Sequence, residues 1–472
     1  MHEAFLERLR AIAGPSQVLT GSDAAGFGED WYKRYRWSPL AVVRPASTGE
    51  VSEIISAAYA AGIPIVPISG NTGTSGGTEA EGALMISLAR MNRIIEIRPN
   101  ARTMLVEAGA IVEAIHNAAA EHSLIFPVSF GAQGTAQIGG ALSTNAGGSN
   151  VLRYGNARNH CLGLEVVLPD GRVMDLMTEL HKDNSGYDLR DLMIGAEGTL
   201  GLITKAVLKL SPMPQTYATA FLGLNDLDSA LALLNELQAA TGGAVDAFEC
   251  MPANYLDMYR LHSPTGTLPL GRIHPFQVLV ELASGAPRDT VQDDAGETAL
   301  NAVFSEILAR HLESGGVVDA VLAQNETQRR DLWRLREMAA ELSIVLSPNI
   351  DNDIAIPTHC YGEFLRAADE RIAQIDGGAR VFWVSHLGDG NLHFAVYPSR
   401  DDETLKGSIK GAIDDIVTDM GGSFSAEHGV GKAKLSSMAA RKNPVALDVM
   451  RAIKAALDPK GLMNPGKVVP PA

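Results

Sequence analysis

Two histidines that flank a glycine-rich turn are the residues of this chain best placed to do chemistry. In residues 386–393, HLGDGNLH, the central GDGN is typical of a tight turn, and strand-like residues stand on both sides. Folded as a hairpin, this segment places His386 and His393 on two strands with their imidazoles able to face the same side. Neutral imidazoles are ready metal ligands, so we expect a metal site here. The alternative is a structural role for both rings.

A carboxylate and a third histidine stand together further along the chain. Glu427 and His428 lie in SAEHGVGK, and Glu427 could be a third, oxygen ligand. Two histidines and one carboxylate leave coordination positions open for a substrate, which is the catalytic pattern. A neutral His428 beside the metal could take a proton from a bound hydroxyl. The alternative is that both residues cap the loop before the next helix.

Three glycine-rich loops form the second set of candidate residues. Residues 69–77, SGNTGTSGG, follow a strand-like run, and two similar loops occupy 131–148 and 195–201. Such loops can point backbone N–H groups at a phosphate. The first loop leads to a strand and lacks Gly-Lys-Ser/Thr, so it is neither a Rossmann loop nor a P-loop. Together the three loops predict one long ligand that carries a pyrophosphate; the alternative is close backbone packing at turns.

Helices and strands must hold these groups in place. Ser47 and Glu50 form a capping box before a helix that Gly62 ends, and strand-like runs interleave with helices up to about residue 210. This pattern predicts an α/β or α+β domain. The prolines of residues 211–214 mark a boundary, and an amphipathic stretch at 289–315 predicts a long helix beyond it.

Composition excludes several classes of protein. The 472 residues include 47 glycines and 3 cysteines, are 46% hydrophobic, and carry a net charge of −16. This composition excludes disorder and a disulfide framework, and the charge argues against a nucleic-acid partner. Because the chain has no run of about 18 apolar residues and its first residues lack the apolar core of a signal peptide, we expect a soluble, cytoplasmic protein.

Three segments carry a resemblance to a known family. They are PISGNTGTSGG, GGALSTNAGGSNVLRYG and KDNSGYDLRDLMIGAEGTLGLIT, which begin at Pro67, Gly139 and Lys182. This set resembles the FAD domain of the vanillyl-alcohol oxidase superfamily, and within it the branch of D-2-hydroxy-acid dehydrogenases. The resemblance runs from about residue 38 to the C-terminus. It implies an α+β fold, in which a vanillyl-alcohol-oxidase-type FAD-binding domain is joined to an α+β cap domain.

The resemblance also implies a domain division and a flavin site. The FAD-binding domain would span 1–210, the cap or substrate domain 211–424, and a segment at 425–472 would return to the FAD domain. FAD would be bound non-covalently, because residues 69–77 contain no histidine or cysteine that could attach it. The cofactor-binding residues implied are Ser69, Gly70, Asn71, Thr72, Gly73, Thr74, Gly134, Thr135, Ile138, Gly139, Asn145, Gly147, Gly148, Glu197, Gly198, Gly201, Ile203 and Asn464.

For the histidine hairpin and the later glutamate, the resemblance implies a divalent metal, commonly zinc, bound by His386, His393 and Glu427. It makes His428 the base and Asn391 a substrate-binding residue. A 2-hydroxy acid can chelate such a metal through its hydroxyl and carboxylate, and the metal lowers the pKa of the hydroxyl. The proton would go to His428 while the C2 hydride goes to the flavin.

The identity of the acid depends on three positions. Arg336 matches a carboxylate-binding arginine of the family, although an ion pair with Glu337 or Glu341 is an alternative. Hydroxyglutarate dehydrogenases carry a threonine where this chain has Ala340 and a lysine where it has Asp351. Exchange of a cation for an anion should weaken binding of a second carboxylate. D-2-hydroxyglutarate, D-lactate and other D-2-hydroxy acids therefore all stay as candidate substrates.

The sequence as a whole predicts an FAD- and metal-dependent dehydrogenase that converts a D-2-hydroxy acid to the 2-oxo acid. We expect an electron acceptor such as an electron-transfer flavoprotein or a quinone and no nucleic-acid partner, and a homodimer is a candidate oligomeric state. Three alternatives stay open at this point. They are an oxidase that uses O₂, a flavin-free metal-dependent hydrolase, and a non-catalytic nucleotide-binding module.

Overall fold

The chain folds into two compact units, which we describe separately. The structure is a computed structural model that describes residues 2–264, 266–344 and 346–471. Unit 1 comprises Met1–Gly148, Gly155–Pro212 and Glu427–Ala472, and unit 2 comprises Ser149–Tyr154 and Met213–Ala426. The short segment Ser149–Tyr154 thus belongs to unit 2, although it lies inside the range 1–210 assigned to one domain from the sequence. The division into an FAD-binding and a cap domain stays a prediction.

Helices and strands are mixed throughout the chain, which confirms the predicted α+β class. The strands are β1 (Val18–Leu19), β2 (Ala41–Val43), β3 (Ile65–Ile68), β4 (Leu84–Ser87), β5 (Ile94–Arg98), β6 (Thr103–Glu107), β7 (Leu124–Ile125), β8 (Cys161–Val167), β9 (Val173–Leu176), β10 (Leu202–Lys209), β11 (Ser211–Pro212), β12 (Thr216–Leu224), β13 (Val245–Pro252), β14 (Phe276–Ser284), β15 (Asp319–Leu322), β16 (Ile350–Ala355), β17 (Arg380–His386) and β18 (Asn391–Tyr397). The helices are α1 (His2–Ala13), α2 (Thr48–Ala61), α3 (Val112–Ala120), α4 (Ile138–Ser143), α5 (Val151–Tyr154), α6 (Leu189–Met193), α7 (Leu227–Thr241), α8 (Ala253–His262), α9 (Ala299–Ser314), α10 (Glu326–Glu337), α11 (Ala339–Ser343), α12 (Tyr361–Ile375), α13 (Glu403–Asp419), α14 (Leu435–Arg441) and α15 (Pro444–Leu457). Among the helices of the described residues, none is long and apolar enough to cross a membrane.

Unit 1 contains two main sheets. The first has the order β1-β2-β4-β3, in which β2, β4 and β3 run parallel and β1 is antiparallel. The second has the order β5-β6-β10-β8-β9 and is antiparallel, and β11 pairs with β7. One large apolar core, to which α1, α2 and α3 contribute, includes residues of both main sheets. This unit contains the three glycine-rich loops.

Helix α2 begins and ends where the sequence predicts. The Ser47 hydroxyl accepts a hydrogen bond from Glu50 N at 3.2 Å, and the Glu50 carboxylate accepts from Ala46 N at 2.9 Å. Gly62 ends the helix in the left-handed region, at φ +67°, where a residue without Cβ is favoured. The chain can therefore turn at once into β3, and the first glycine loop follows at the end of that strand.

A buried carboxylate fixes the C-terminal segment of unit 1 after α15. Asp458 is 2% exposed and accepts hydrogen bonds from Leu462 N, Met463 N and Lys454 Nζ at 3.1, 2.8 and 2.6 Å. These bonds turn the chain back, so that Leu462 O accepts from Ile65 N of strand β3. The turn therefore determines where Asn464, a predicted cofactor residue, is placed.

Unit 2 is built on one antiparallel sheet with the order β15-β12-β14-β13-β17-β18-β16. Helices α7, α9, α12 and α13 pack on one face through a core that includes Phe304, Phe364 and Ile413. Helices α8, α10 and α11 pack on the other face, which we call the site face, through a core that includes Tyr255 and Leu335. The two apolar cores hold the sheet between two layers of helices.

The predicted helix of residues 289–315 is shorter than expected. Helix α9 begins at Ala299, where the Thr298 hydroxyl accepts a hydrogen bond from Asn301 N at 3.3 Å. The preceding residues include Gly296 at φ +82°, which ends helical geometry. The sequence predicted too early a start for this helix, because the polar residues before Thr298 do not break the hydrophobic period by themselves.

The role of Asp458 gives a prediction about stability. We expect Asp458→Ala to lower the melting temperature of the protein by about 4–8 °C, because buried donors left without an acceptor cost about 1–3 kcal/mol. Asp448→Ala is the matched control, since Asp448 lies on α15 with a side chain 75% exposed and should change little. Thermal unfolding followed by circular dichroism measures both, and equal melting temperatures would contradict the role of Asp458.

Candidate active site

The predicted histidine hairpin forms in unit 2. His386 ends β17 and His393 lies in β18, and the register pairs His386 with Asn391 and Val384 with His393. Because alternate residues of a strand share a face, both imidazoles point to the site face. Their ring centroids lie 5.4 Å apart with the planes at 77°. The two histidines are therefore close enough to bind one ion.

The turn of this hairpin needs glycine. Gly390 has φ +90°, and a Cβ built on it would lie 2.5 Å from Ile356 O, so a larger residue would collide with backbone. The Asp389 carboxylate accepts a hydrogen bond from Asn391 N at 3.0 Å, and the buried Tyr361 hydroxyl donates to Asn391 O at 3.0 Å. The GDGN sequence thus fixes where His386 and Asn391 leave the turn.

A carboxylate that the sequence analysis did not identify joins two of the predicted site residues. Glu249, on β13 and 1% exposed, accepts from His386 Nδ1 at 2.8 Å through Oε1 and from Arg336 Nε at 2.7 Å through Oε2. Burial raises the pKa of Glu249, but the charges and hydrogen bonds of His386 and Arg336 outweigh it and hold the pKa below its ordinary value. Arg336 thus pairs with Glu249, whereas Glu341 lies 3.8 Å from His262.

His393 has an acidic neighbour of its own. Asp353 of β16 is directly opposite His393 in the sheet, with its Oδ1 3.9 Å from His393 Nδ1. Asn391 Nδ2 donates to Asp353 Oδ1 and to Ile354 O, both at 3.0 Å. Asn391 Oδ1 is buried and has no hydrogen-bond partner in the described part of the chain. An acceptor in this position suits a ligand that brings its own donor.

These residues fit a divalent metal. An ionised Glu249 only accepts hydrogen bonds, so His386 carries a proton on Nδ1, and the neutral form of the imidazole then has its lone pair on Nε2. Histidine ligands of metals commonly donate their other N–H to a carboxylate in this way. His386 Nε2 lies 3.5 Å from Arg336 Nη2. The neutral form of His386 thus has the tautomer that a metal requires.

Glu427 and His428 belong to unit 1, which the chain re-enters after Ala426. Glu427 Oε1 lies 3.7 Å from His428 Nε2, and the His428 side chain is 39% exposed. The backbone of His428 is fixed, since its carbonyl accepts from the Ser75 hydroxyl at 3.1 Å. The predicted set of metal ligands, His386, His393 and Glu427, and the role of His428 stay predictions.

The first and second glycine loops of unit 1 lie against each other. A Cβ added to Gly70 would collide with Thr135 O, and one added to Gly140 would lie 3.0 Å from Ser69 Cβ. Asn71 and Asn145 adopt positive φ of +52°, which is uncommon for residues with a side chain. Close approach and positive φ thus both occur at predicted cofactor residues.

The third loop joins the second loop through Glu197. Its backbone has φ +49°, and its N donates to Ser143 O at 2.8 Å. The Glu197 carboxylate accepts from Val430 N and Gly431 N at 2.7 and 2.8 Å. Burial raises the pKa of Glu197, and these two bonds oppose that shift. Glu197 therefore ties its own loop to the segment that follows His428.

Asn464 completes this arrangement from the C-terminal segment. Its Nδ2 donates to Glu197 O at 2.8 Å and to Gly77 O at 3.1 Å, so it bridges the first and third loops. Its Oδ1 is buried without a hydrogen-bond partner among the described residues. As at Asn391, a buried acceptor is left for a ligand.

The glycines of the loops divide into two groups. In several of them protein atoms occupy the space of a Cβ, as backbone or side chain does at Gly70, Gly139, Gly148 and Gly201. Gly73 has nothing within 4 Å of a built Cβ, and Gly134 has only the Glu113 carboxylate at 3.6 Å. Close packing therefore explains the first group, while the second group leaves room for a ligand. The unit thus fits a long, phosphate-bearing cofactor.

The remaining predicted cofactor residues lie in or beside the same loops. Ile138 begins α4, and Ile203 lies in β10; both are buried. Gly198 has φ +70°. The rest of the set lies in loop backbone outside regular helices and strands, namely Thr72, Thr74, Thr135 and Gly147.

Comparisons with known proteins decide the family. A family model described as "FAD linked oxidases, C-terminal domain" matches residues 213–468, more than half of the chain, and "FAD binding domain" matches residues 39–177. The chain belongs to the FAD-linked oxidase family. The chain is 36% identical over 455 residues to the D-2-hydroxyglutarate dehydrogenase of Xanthomonas citri, covering 95% of this chain and 93% of that protein. It is also 36% identical to the mitochondrial D-2-hydroxyglutarate dehydrogenase of Bos taurus, and the match covers 99% of this chain and 83% of that protein.

Solved structures show the same fold. The p-cresol methylhydroxylase structure superimposes with a TM-score of 0.75 at 16% identity, covering 98% of this chain and 96% of that one. An alkyldihydroxyacetonephosphate synthase gives a TM-score of 0.73 at 17% identity, and the match covers 98% of this chain and 86% of that one. The predicted fold, the resemblance to FAD-dependent D-2-hydroxy-acid dehydrogenases and the class of FAD-linked oxidoreductase are confirmed. A flavin-free hydrolase and a non-catalytic module are disfavoured.

Two acidic residues of the site were missed from the sequence. Glu249 and Asp353 lie in strands far from the histidines in the chain and match no short motif. A sequence signal for Glu249 did exist, since it is a charged residue in the mostly apolar run VDAFECMP, which forms a fully buried strand. A charge in such a strand requires a partner.

The close packing beside the first loop gives a prediction about cofactor retention. Gly431 has φ +51°, and a Cβ on it would collide with Ser75 O of the first glycine loop. We expect Gly431→Ala to purify with less than half of the wild-type flavin per protein, measured by visible absorbance, because the loop must move. Gly461→Ala is the control, since Gly461 has φ +63° and open space around a built Cβ. Equal flavin content in the two variants would contradict this role for the contact.

Proposed function

We propose that this protein is an FAD- and divalent-metal-dependent dehydrogenase that oxidises a D-2-hydroxy acid to the 2-oxo acid. The observation that carries the proposal is the hairpin of unit 2, where His386 and His393 face one side and Glu249 fixes the tautomer of His386. The names of the relatives support the substrate class, and the loops of unit 1 support the flavin.

Each site residue has a distinct task in this proposal. His386, His393 and Glu427 hold the metal, and Arg336 receives the substrate carboxylate on the guanidinium nitrogens that Glu249 does not use. When bound, the metal lowers the pKa of the substrate hydroxyl and FAD takes up the hydride from C2. Asn391, whose Nδ2 is held by Asp353 Oδ1 and Ile354 O, is proposed as a further substrate-binding residue.

His428 acts as the base. Its imidazole removes the hydroxyl proton as the C–H bond breaks, and it must be neutral to do so. The bond between the Ser75 hydroxyl and the His428 carbonyl fixes its backbone, while a 39% exposed side chain allows the proton to pass to solvent.

We propose zinc as the metal, because the ligands are two imidazoles and one carboxylate. The electron acceptor is proposed to be an electron-transfer flavoprotein or a quinone. An oxidase that uses O₂ is the competing version, and peroxide formed in air distinguishes it. A location in the cytoplasm and a homodimer are also proposals.

The charge of Asp351 bears on which acid is oxidised. Asp351 pairs with Ala395 in the sheet and lies two residues before Asp353. Its Cβ is therefore on the site face, as are those of Asp353 and His393. Its charge adds to burial in raising the pKa of Tyr397 on that face. We propose that the preferred substrate has one carboxylate, as D-lactate does, because a second carboxylate would approach this anion.

A direct test uses the flavin as the reporter. We expect D-2-hydroxy acids, and not their L enantiomers, to bleach the flavin absorbance without oxygen. Treatment with a chelator should abolish bleaching while FAD stays bound, and added Zn²⁺ should restore it. Bleaching that survives complete metal removal would contradict the metal, and no bleaching by any 2-hydroxy acid would contradict the function.

The substrate proposal is tested by charge reversal. We expect Asp351→Lys to raise kcat/KM for D-2-hydroxyglutarate relative to D-lactate about tenfold or more, because the approach of a second carboxylate becomes attractive. Glu370→Lys is the control, as Glu370 is exposed on α12, a helix that packs on the opposite face. If wild type already prefers D-2-hydroxyglutarate and Asp351→Lys lowers that preference, the proposal is wrong.

A further inference from the structure

Glu249 is a charged residue in an unusual place. It lies in the middle of β13, between β14 and β17, and every residue of this strand is buried. Removal of a carboxylate from water costs several kcal/mol unless hydrogen bonds and an opposite charge compensate. The two donors that compensate it, on Arg336 and His386, are both residues that the sequence assigned to the site.

The two oxygens of Glu249 are engaged by different partners. Oε1 accepts from His386 Nδ1 at 2.8 Å and Oε2 accepts from Arg336 Nε at 2.7 Å. One planar carboxylate thus determines the direction of an imidazole on β17 and of a guanidinium on α10. Neither group can rotate without breaking its bond to Glu249.

The bond to His386 also selects a tautomer. With the proton on Nδ1, the lone pair on Nε2 points away from Glu249. The bond to Arg336 uses Nε, which leaves the two terminal nitrogens as donors in a fixed plane. Arg336 Nη2 and His386 Nε2 then lie 3.5 Å apart, at hydrogen-bond distance from each other, so the two groups are adjacent.

We propose that Glu249 is a positioning residue that aligns the metal-binding nitrogen of His386 with the carboxylate-binding guanidinium of Arg336. This inference rests on the proposed function, because it concerns how the same metal and substrate are held. Glu249 contacts the two residues that act on them and sets the distance between the two. A 2-hydroxy acid, whose carboxylate and hydroxyl are attached to the same carbon, requires a short and constant distance of this kind.

The same sheet offers a matched control. Glu281 on β14 is 3% exposed and accepts from Arg329 at 2.6 and 2.7 Å and from Trp333 Nε1 at 2.8 Å. It is as buried and as strongly bonded as Glu249, but its recorded hydrogen bonds go to no predicted metal or substrate residue. Glu281→Gln therefore measures the structural cost of losing a buried carboxylate in this sheet.

The test compares Glu249→Gln with Glu281→Gln in the full-length, FAD-loaded protein after its metal has been stripped. We expect Glu249→Gln to weaken the Kd for Zn²⁺, titrated alone and followed by calorimetry, about 10–100-fold. KM for the 2-hydroxy acid should also rise, while melting temperature and flavin content match those of Glu281→Gln. Glu281→Gln should keep the wild-type Kd for Zn²⁺.

Equal Zn²⁺ affinity and equal KM in wild type and Glu249→Gln would overturn this inference and leave the proposed function intact. A wild-type protein that binds no Zn²⁺ and oxidises no 2-hydroxy acid would overturn the proposed function itself. A measurement on the metal-free wild type does not depend on a stable Glu249 variant. We expect ¹⁵N NMR to show His386 protonated on Nδ1, with the signal assigned by its loss in His386→Gln; a proton on Nε2 would overturn the inference.

Discussion

The pairing of β17 with β18 is the constraint on which the unit 2 site depends. Side chains alternate between the faces of a sheet, so a slip of one residue would move a histidine to the opposite face. Trp383 and Phe394, which are paired across these strands, pack into the core opposite the site and hold the register. Gly390 closes the turn where no Cβ fits. An apolar core and one glycine thus determine the direction of His386 and His393.

The buried charges of the site face are better explained by function than by stability. A buried ion pair contributes little net stability compared with apolar residues of similar volume. Glu281 and Arg329 show that the sheet also holds such a pair elsewhere, where Arg329 lies over the Tyr217 ring with its Cζ 4.1 Å from the ring centroid. Beside its arginine, Glu249 binds a histidine, whereas Glu281 binds a tryptophan and a threonine. That difference converts a structural ion pair into an arrangement able to direct an imidazole.

Local sequence predicted those parts of the site that local chemistry determines. The GDGN turn and the helix between Ser47 and Gly62 depend on residues near each other in the chain, and both form as expected. The three glycine loops were found because each repeats glycine beside small polar residues. Glu249 was missed because 137 positions separate it from His386, and only the order of strands in the sheet makes them neighbours. The start of α9 was misplaced because polar residues before Thr298 continue the helical period.

Electrostatics connects the metal with the choice of substrate. The charged groups described on the site face include the carboxylates of Glu249, Asp351 and Asp353 and the guanidinium of Arg336, together with Glu281, which Arg329 offsets. Arg336 already offsets Glu249, so an anionic substrate would meet net negative charge on this face by itself. A divalent cation beside His393 and Asp353 would reverse that balance and attract one carboxylate. Asp351, further along β16, would still oppose a second one, which is the electrostatic basis for proposing a substrate with a single carboxylate.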